Sequence, residues 1–171
     1  MIHLRLSAVG LAILIGCTGY AYAACGPGKV RTYRDISGVR YVRTGCFGTC
    51  PSYEVFIWRL GLYYVGRLYV QKTGTYEAAV GNLLVRAREL LKAHHFYDLN
   101  DSESYDVTDV PNFILAVNRC RVTTKLDWPD YEERPDITSL FDDLDALVQN
   151  VKWHKTSDST DSPAALFTSI P

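Results

Sequence analysis

Ser52-Tyr53-Glu54-Val55-Phe56-Ile57-Trp58-Arg59-Leu60 is the stretch that decides the fold. Successive side chains of a strand point to opposite faces of a sheet. Tyr53, Val55 and Ile57 therefore share one side, and Glu54, Phe56 and Trp58 the other. Large apolar groups on both sides predict a strand that is central or covered on both faces. Arg59-Leu60-Gly61 follows as a hairpin turn, and Leu62–Val65 and Arg67–Gln71 read as the next strands around Gly66, a bulge or tight bend. Thr73-Gly74-Thr75 marks another turn. Upstream, Val39–Thr44 alternates as a first strand, joined to the second by a turn over Gly45–Pro51. The pattern is an antiparallel meander.

At Ala79 the period changes from two to that of a helix. Val80, Leu83, Leu84, Ala87, Leu90 and Leu91 form one stripe as far as His95, while Arg86, Arg88, Glu89 and Lys92 face outward. Two further strands are predicted near Asn112–Asn118 and Arg121–Leu126. A second helix over Pro135–Trp153 has Ile137, Leu140, Phe141, Leu144, Leu147, Val148 and Val151 on one stripe, and Pro135 suits its first turn. The order β-β-β-β-α-β-β-α predicts an α+β domain over residues 39–153, an antiparallel sheet with two helices packed on one face. Residues 24–38 read as an N-terminal extension. Residues 154–171, rich in Ser, Thr and Asp, read as a flexible tail.

Residues 1–23 have the form of a secretory signal: Arg5 near the start, an apolar run over Leu6–Gly16, and Ala21-Tyr22-Ala23 as a cleavage site. Leu14-Ile15-Gly16-Cys17 offers a second route, in which residues 1–16 are removed and Cys17 takes a lipid. Either route leads to the periplasm, an outer-membrane anchor or secretion. Cys25, Cys46, Cys50 and Cys120 then remain, an even number in an oxidising compartment. Cys46 and Cys50 are close enough to pair across a tight loop, leaving Cys25 for Cys120; a free, reactive thiol at Cys46 or Cys50 is the alternative.

Cys46-Phe47-Gly48-Thr49-Cys50-Pro51-Ser52-Tyr53, together with Phe96-Tyr97 and Val107-Thr108-Asp109-Val110-Pro111, resembles a family of bacterial secreted and lipid-anchored domains of unknown function. The resemblance covers Val39–Val151 and implies a compact α+β fold without implying an activity. Its motif residues here are Phe47, Gly48, Pro51, Tyr53, Thr108, Asp109 and Pro111.

No pattern commits the chain to a reaction. A redox role for Cys46 and Cys50 needs a depressed thiol pKa, but Pro51 and a strand follow Cys50, where redox pairs usually open a helix; a disulfide pinning the turn, with Gly48 at positive φ, explains the pair better. His94 and His95 are adjacent, and helix neighbours point about 100° apart, unlike ligands spaced by three or four. Asp98, Asp101, Glu103, Asp106 and Asp109 lack the glycine and terminal glutamate of a calcium loop. Asp109 reads as a turn cap before Pro111. The sequence thus points to no catalytic residue, metal ligand or cofactor.

Net charge is −1, which argues against nucleic acid as a partner. Ala24–Asn100 nevertheless holds eleven Lys and Arg against five Asp and Glu, and Asp101–Pro171 six against fourteen. The two halves are expected to face and partly neutralise each other in the fold, the alternative being a two-sided surface that docks a charged partner. Twelve tyrosines, with Trp58, Trp128 and Trp153, are many for a domain of this size. Tyr41, Tyr63, Tyr64 and Tyr69 fall on predicted strands, where an exposed aromatic face would anchor a protein or glycan partner. The reading is a noncatalytic binding or structural module, with a thiol-dependent redox protein or a metal-binding module as alternatives.

Overall fold

The computed structural model describes residues 32–99, 110–119, 122–129 and 134–164, all within the unit Arg31–Pro171. The expectations for the signal segment, Cys17, Cys25, Cys120, Thr108, Asp109 and the acidic loop over 100–109 lie outside the described residues. Strands β1 (Ile36–Arg43), β2 (Ser52–Trp58), β3 (Gly61–Leu68) and β4 (Gly74–Ala78) precede helix α1 (Leu83–Ala93). Strands β5 (Asn112–Arg119) and β6 (Val122–Pro129), helix α2 (Pro135–Val148) and strand β7 (His154–Ser157) follow. The strands form one antiparallel sheet in the order β6-β5-β1-β2-β3-β4-β7. The class is α+β, and the element order is the one read from the sequence with β7 added.

Alternation places Val39 and Tyr41 of β1, Val55 and Ile57 of β2, Leu62 of β3 and Leu115 and Val117 of β5 on one face. There they pack against Leu84, Ala87 and Leu91 of α1 and Ile137, Leu140, Phe141 and Leu144 of α2. Both helices therefore cover the same face. The opposite face holds Phe56 and Ala116, with Tyr63 and Ala164 packed on them, and the Trp58 and Tyr63 rings lie 5.6 Å apart. As its composition predicts, β2 is covered on both sides. Glu54 also faces that side and is 1% exposed. A lone buried carboxylate would be costly, but Arg40 of β1 pairs with its Oε1 and Arg67 of β3 with its Oε2 at 2.8 Å. The Ser162 hydroxyl adds a hydrogen bond of 2.9 Å.

Three expectations are corrected. First, β3 runs as one strand through Gly66 where two were read, although the bulge expected there is present: the register slips beside the glycine, where Ser52 pairs with Leu68 but Tyr53 with Gly66. A Cβ on Gly66 would stand 1.8 Å from the Lys72 carbonyl oxygen; the glycine is needed because the β3–β4 connection closes directly on it. Second, Gly74 opens the fourth strand and does not sit in a turn, so the chain reverses over residues 69–73. Third, residues 154–157 are a strand. β7 pairs with β4 at Thr75–Ser157, Tyr76–Lys155 and Glu77–His154, and Gly74, at φ +106, leaves room where a Cβ would meet the Ser157 carbonyl at 2.5 Å. Hydroxyls extend the seam: Thr75 Oγ1 donates to the Ser159 carbonyl at 2.8 Å and Thr156 Oγ1 to the Thr75 carbonyl at 3.2 Å. All four β7 side chains are exposed, so backbone pairing holds the strand and no hydrophobic period announces it.

The helices are shorter than their apolar stripes. α1 begins at Leu83, after Gly81 at φ +51. α2 ends at Val148, yet Val151 and Trp153 still pack on the core from beyond it.

Candidate functional site

At the end of the sheet where β2 begins and β3 finishes, a groove of about 490 Å³ runs between the sheet, α2 and the β3–β4 turn. Its walls are Tyr53, Tyr64, Tyr69 and Trp153, with Asp145, Lys72, Gln71 and Gln149 as polar lining. Strand alternation brings Tyr53 and Tyr64 side by side, for Val55 pairs with Tyr64. Their rings stack 5.9 Å apart at 22°. Trp153 leans on Tyr64 at 5.7 Å, and Tyr76 meets it edge-on at 6.0 Å. Tyr69 supplies the outer wall from the turn. It is 62% exposed and holds φ +53, a left-handed conformation that is uncommon outside glycine and costly for a bulky side chain.

A charged network forms the floor. Tyr53 Oη donates to Asp145 Oδ2 at 2.6 Å, and Arg43 Nε donates to the same oxygen at 3.1 Å. Arg43 Nη2 also reaches Asp142 Oδ1 at 3.0 Å, while its guanidinium lies 4.7 Å from the Phe113 ring centre. Arg43 thus joins the basic N-terminal half of the sequence to the acidic C-terminal half, as the charge distribution anticipates. Arg43 and Tyr53 meet on one oxygen of Asp145, Oδ2. The Asp145 side chain is 31% exposed and lines the groove.

Proton affinities follow the packing. Burial, reinforced by the Asp145 charge, pushes the Tyr53 phenol far above its ordinary value. Burial, then Asp145 and Tyr76, push Tyr64 up to about 12. Tyr41 lies beneath, fully buried and strongly raised by desolvation, with its hydroxyl donating to the Leu144 carbonyl at 3.2 Å.

The other residues singled out in the sequence scatter. Cys46 and Cys50 form a disulfide with Cα atoms 5.5 Å apart, in the loop between β1 and β2 and not at a helix start. Gly48 does not adopt the positive φ expected of it; its N–H donates to the Cys46 carbonyl at 2.9 Å instead. Phe47, at the loop tip, is 91% exposed. Pro51 lines the groove beside Tyr53, whereas Pro111 leads into β5. His94 caps α1 and bonds Asp143 of α2 at 2.8 Å, while His95, at φ +51, lies 3.7 Å from Asp98. The adjacent histidines diverge, and no group of three or more His, Cys, Asp or Glu that could hold a metal occurs among the described residues.

The exposed aromatic sheet face expected from the tyrosines is not present in that form. Tyr41 is buried, Tyr63 lies on the opposite face, and Tyr69 belongs to a turn. The aromatic surface is gathered instead into the groove. Sequence reasoning missed Asp145, Lys72, Gln71 and Gln149, because nothing local marks one helix carboxylate or one turn residue among several. Trp153 was read only as the last residue of the second helix, and the structure places it beyond that helix, on the groove.

The sequence matches the family described as a domain of unknown function (DUF6438) over residues 37–148. The chain belongs to that family, whose matched span takes in the disulfide loop, both helices and the groove apart from Gln149 and Trp153. No curated protein and no solved structure matches the chain.

Proposed function

We propose that this chain is an extracytoplasmic, noncatalytic binding module whose ligand occupies the groove between α2 and the β3–β4 turn. The observation that carries the proposal is the groove itself: three tyrosines and a tryptophan around about 490 Å³, within the range of about 300–1,000 Å³ common for small-molecule sites, with a few polar groups at its floor. The left-handed Tyr69 supports it, since strain of this kind clusters at ligand clamps. Binding without chemistry is supported by the proton affinities. A general acid or base works best with a pKa near the operating pH, whereas Tyr53 and Tyr64 are shifted away from neutrality.

A location outside the cytoplasm is supported by the signal-like residues 1–23, by the lipobox at Cys17 and by the Cys46–Cys50 disulfide. A protein or glycan of the cell envelope is then the natural partner class. The test is titration of the ¹⁵N-labelled protein with a fragment library. Hits shift the amides of Tyr69, Gln71 and Gln149 and are recovered chemically unchanged. Hits that shift only residues elsewhere, or that are consumed, would reject the reading.

A further inference from the structure

Building on that reading of the groove, we infer that its ligand is a neutral saccharide. The charges decide first. The charged lining of the groove is one cation and one carboxylate, Lys72 and Asp145, the latter already bonded to Arg43, so the site has no net charge to attract an ion. A cationic ligand would have to compete with Arg43 for Asp145, and an anion would meet Asp145 itself. A neutral ligand incurs neither penalty.

The polar inventory decides next. The Asp145 carboxylate is a charge-assisted acceptor, Gln71 and Gln149 each offer both donor and acceptor atoms, and Lys72 offers donors alone. Such a mixture suits hydroxyl groups, which donate and accept at once. The walls complete the match: Tyr69 and Trp153 present aromatic surface, which takes the apolar C–H face of a pyranose as readily as any flat apolar group. A peptide fits less well. Peptides that bind to sheets commonly add a strand to an exposed edge, whereas this groove lies on the face of β2 and β3, two interior strands. An amphipathic helix needs an apolar groove, which Asp145 and Lys72 interrupt.

The experiment titrates the full-length ¹⁵N-labelled chain with tetramers of β-1,4-linked N-acetylglucosamine, β-1,4-linked glucose and α-1,4-linked glucose, and in parallel with an uncharged tetrapeptide. At least one saccharide is expected to shift Tyr69, Gln71 and Gln149, with affinity falling at least tenfold in Tyr69→Ala and in Gln149→Ala. Both side chains are exposed, so neither variant threatens the fold. Shifts in the groove from the tetrapeptide alone would overturn the saccharide assignment and leave the groove as a binding site. Shifts from neither probe would count against both, as would saccharide binding that the two variants leave unchanged.

Discussion

The Lys72 carbonyl oxygen rests against Gly66, only 1.8 Å from where a Cβ on that glycine would lie. This close approach lets the β3–β4 turn fold in against the sheet and hold Tyr69 as the groove's outer wall. Gly66→Ala must push that turn outward or strain β3. Overpacking of this kind costs about 1–3 kcal/mol, and because the clash is with backbone the upper end is expected. Urea denaturation should show the loss, and amide shifts should centre on Tyr69–Thr73. A variant as stable as the parent would contradict the role given to Gly66.

Tyr53 and Asp145, ninety-two residues apart, are joined at 2.6 Å. Tyr53→Phe removes a hydrogen bond to a charged group, worth about 1.5–3 kcal/mol, and should lower the melting temperature while leaving the secondary structure intact. If circular dichroism melts of the two proteins coincide, the bond contributes nothing.

Alkaline pH offers an independent check on the same cluster. Tyr41, Tyr53 and Tyr64 all have folded-state pKa values above the ordinary 10.0. Above pH 10 the unfolded chain releases these protons while the folded chain retains them, so the unfolded state binds fewer protons and stability falls with rising pH. The stabilisation is complete below pH 10 and is lost as pH climbs through the raised values. Each such group contributes up to about 1.4 kcal/mol per pH unit. Urea midpoints measured from pH 9 to 11 should therefore decline, and less steeply in Tyr53→Phe.

Glu54 sits between Arg40 and Arg67 on the other face. Glu54→Leu keeps the bulk but leaves two guanidiniums facing each other without their shared carboxylate. Breaking a buried ion pair costs about 3–5 kcal/mol; because both arginines are partly exposed, the lower end applies. Restoring apolar balance with Arg40→Met in the same protein should recover part of the loss in chemical denaturation. An unchanged midpoint in Glu54→Leu would show that the triad is energetically neutral.

The Cys46–Cys50 bond closes a loop with a sequence separation of four. For a loop so short the chain-entropy model gives about 2 kcal/mol. Replacing both cysteines by Ser should lower stability by about that much without altering any ligand affinity of the groove. In intact-mass measurements both thiols should alkylate only after reduction. Alkylation of either one without reduction would revive a redox role.

Much of the fold was legible because its signals are periodic. The two-faced alternation of Tyr53–Trp58 located the central strand, and the stripes of Leu84–Leu91 and Ile137–Val148 located both helices. Where structure depends on backbone alone, the sequence was silent. Gly66 read as a bulge or a tight bend, and the bulge is there, but a glycine needed for the close approach of Lys72 is indistinguishable in sequence from one needed for a turn. His154–Ser157 looked like a tail because an exposed polar strand carries no apolar period. The groove was harder still. Tyr53 and Tyr64 could be placed on strands, but their adjacency depends on the β2–β3 register, and the partnership of Arg43 with Asp145 spans the whole domain.

The most direct test of the groove as the binding site is an isotope-filtered NOE spectrum of the ¹³C-labelled protein with a bound fragment from the library titration. The account predicts cross-peaks from the ring protons of Tyr69 and Trp153 to the ligand. Cross-peaks confined to residues outside the groove, such as the exposed Phe47 or Leu60, would contradict it.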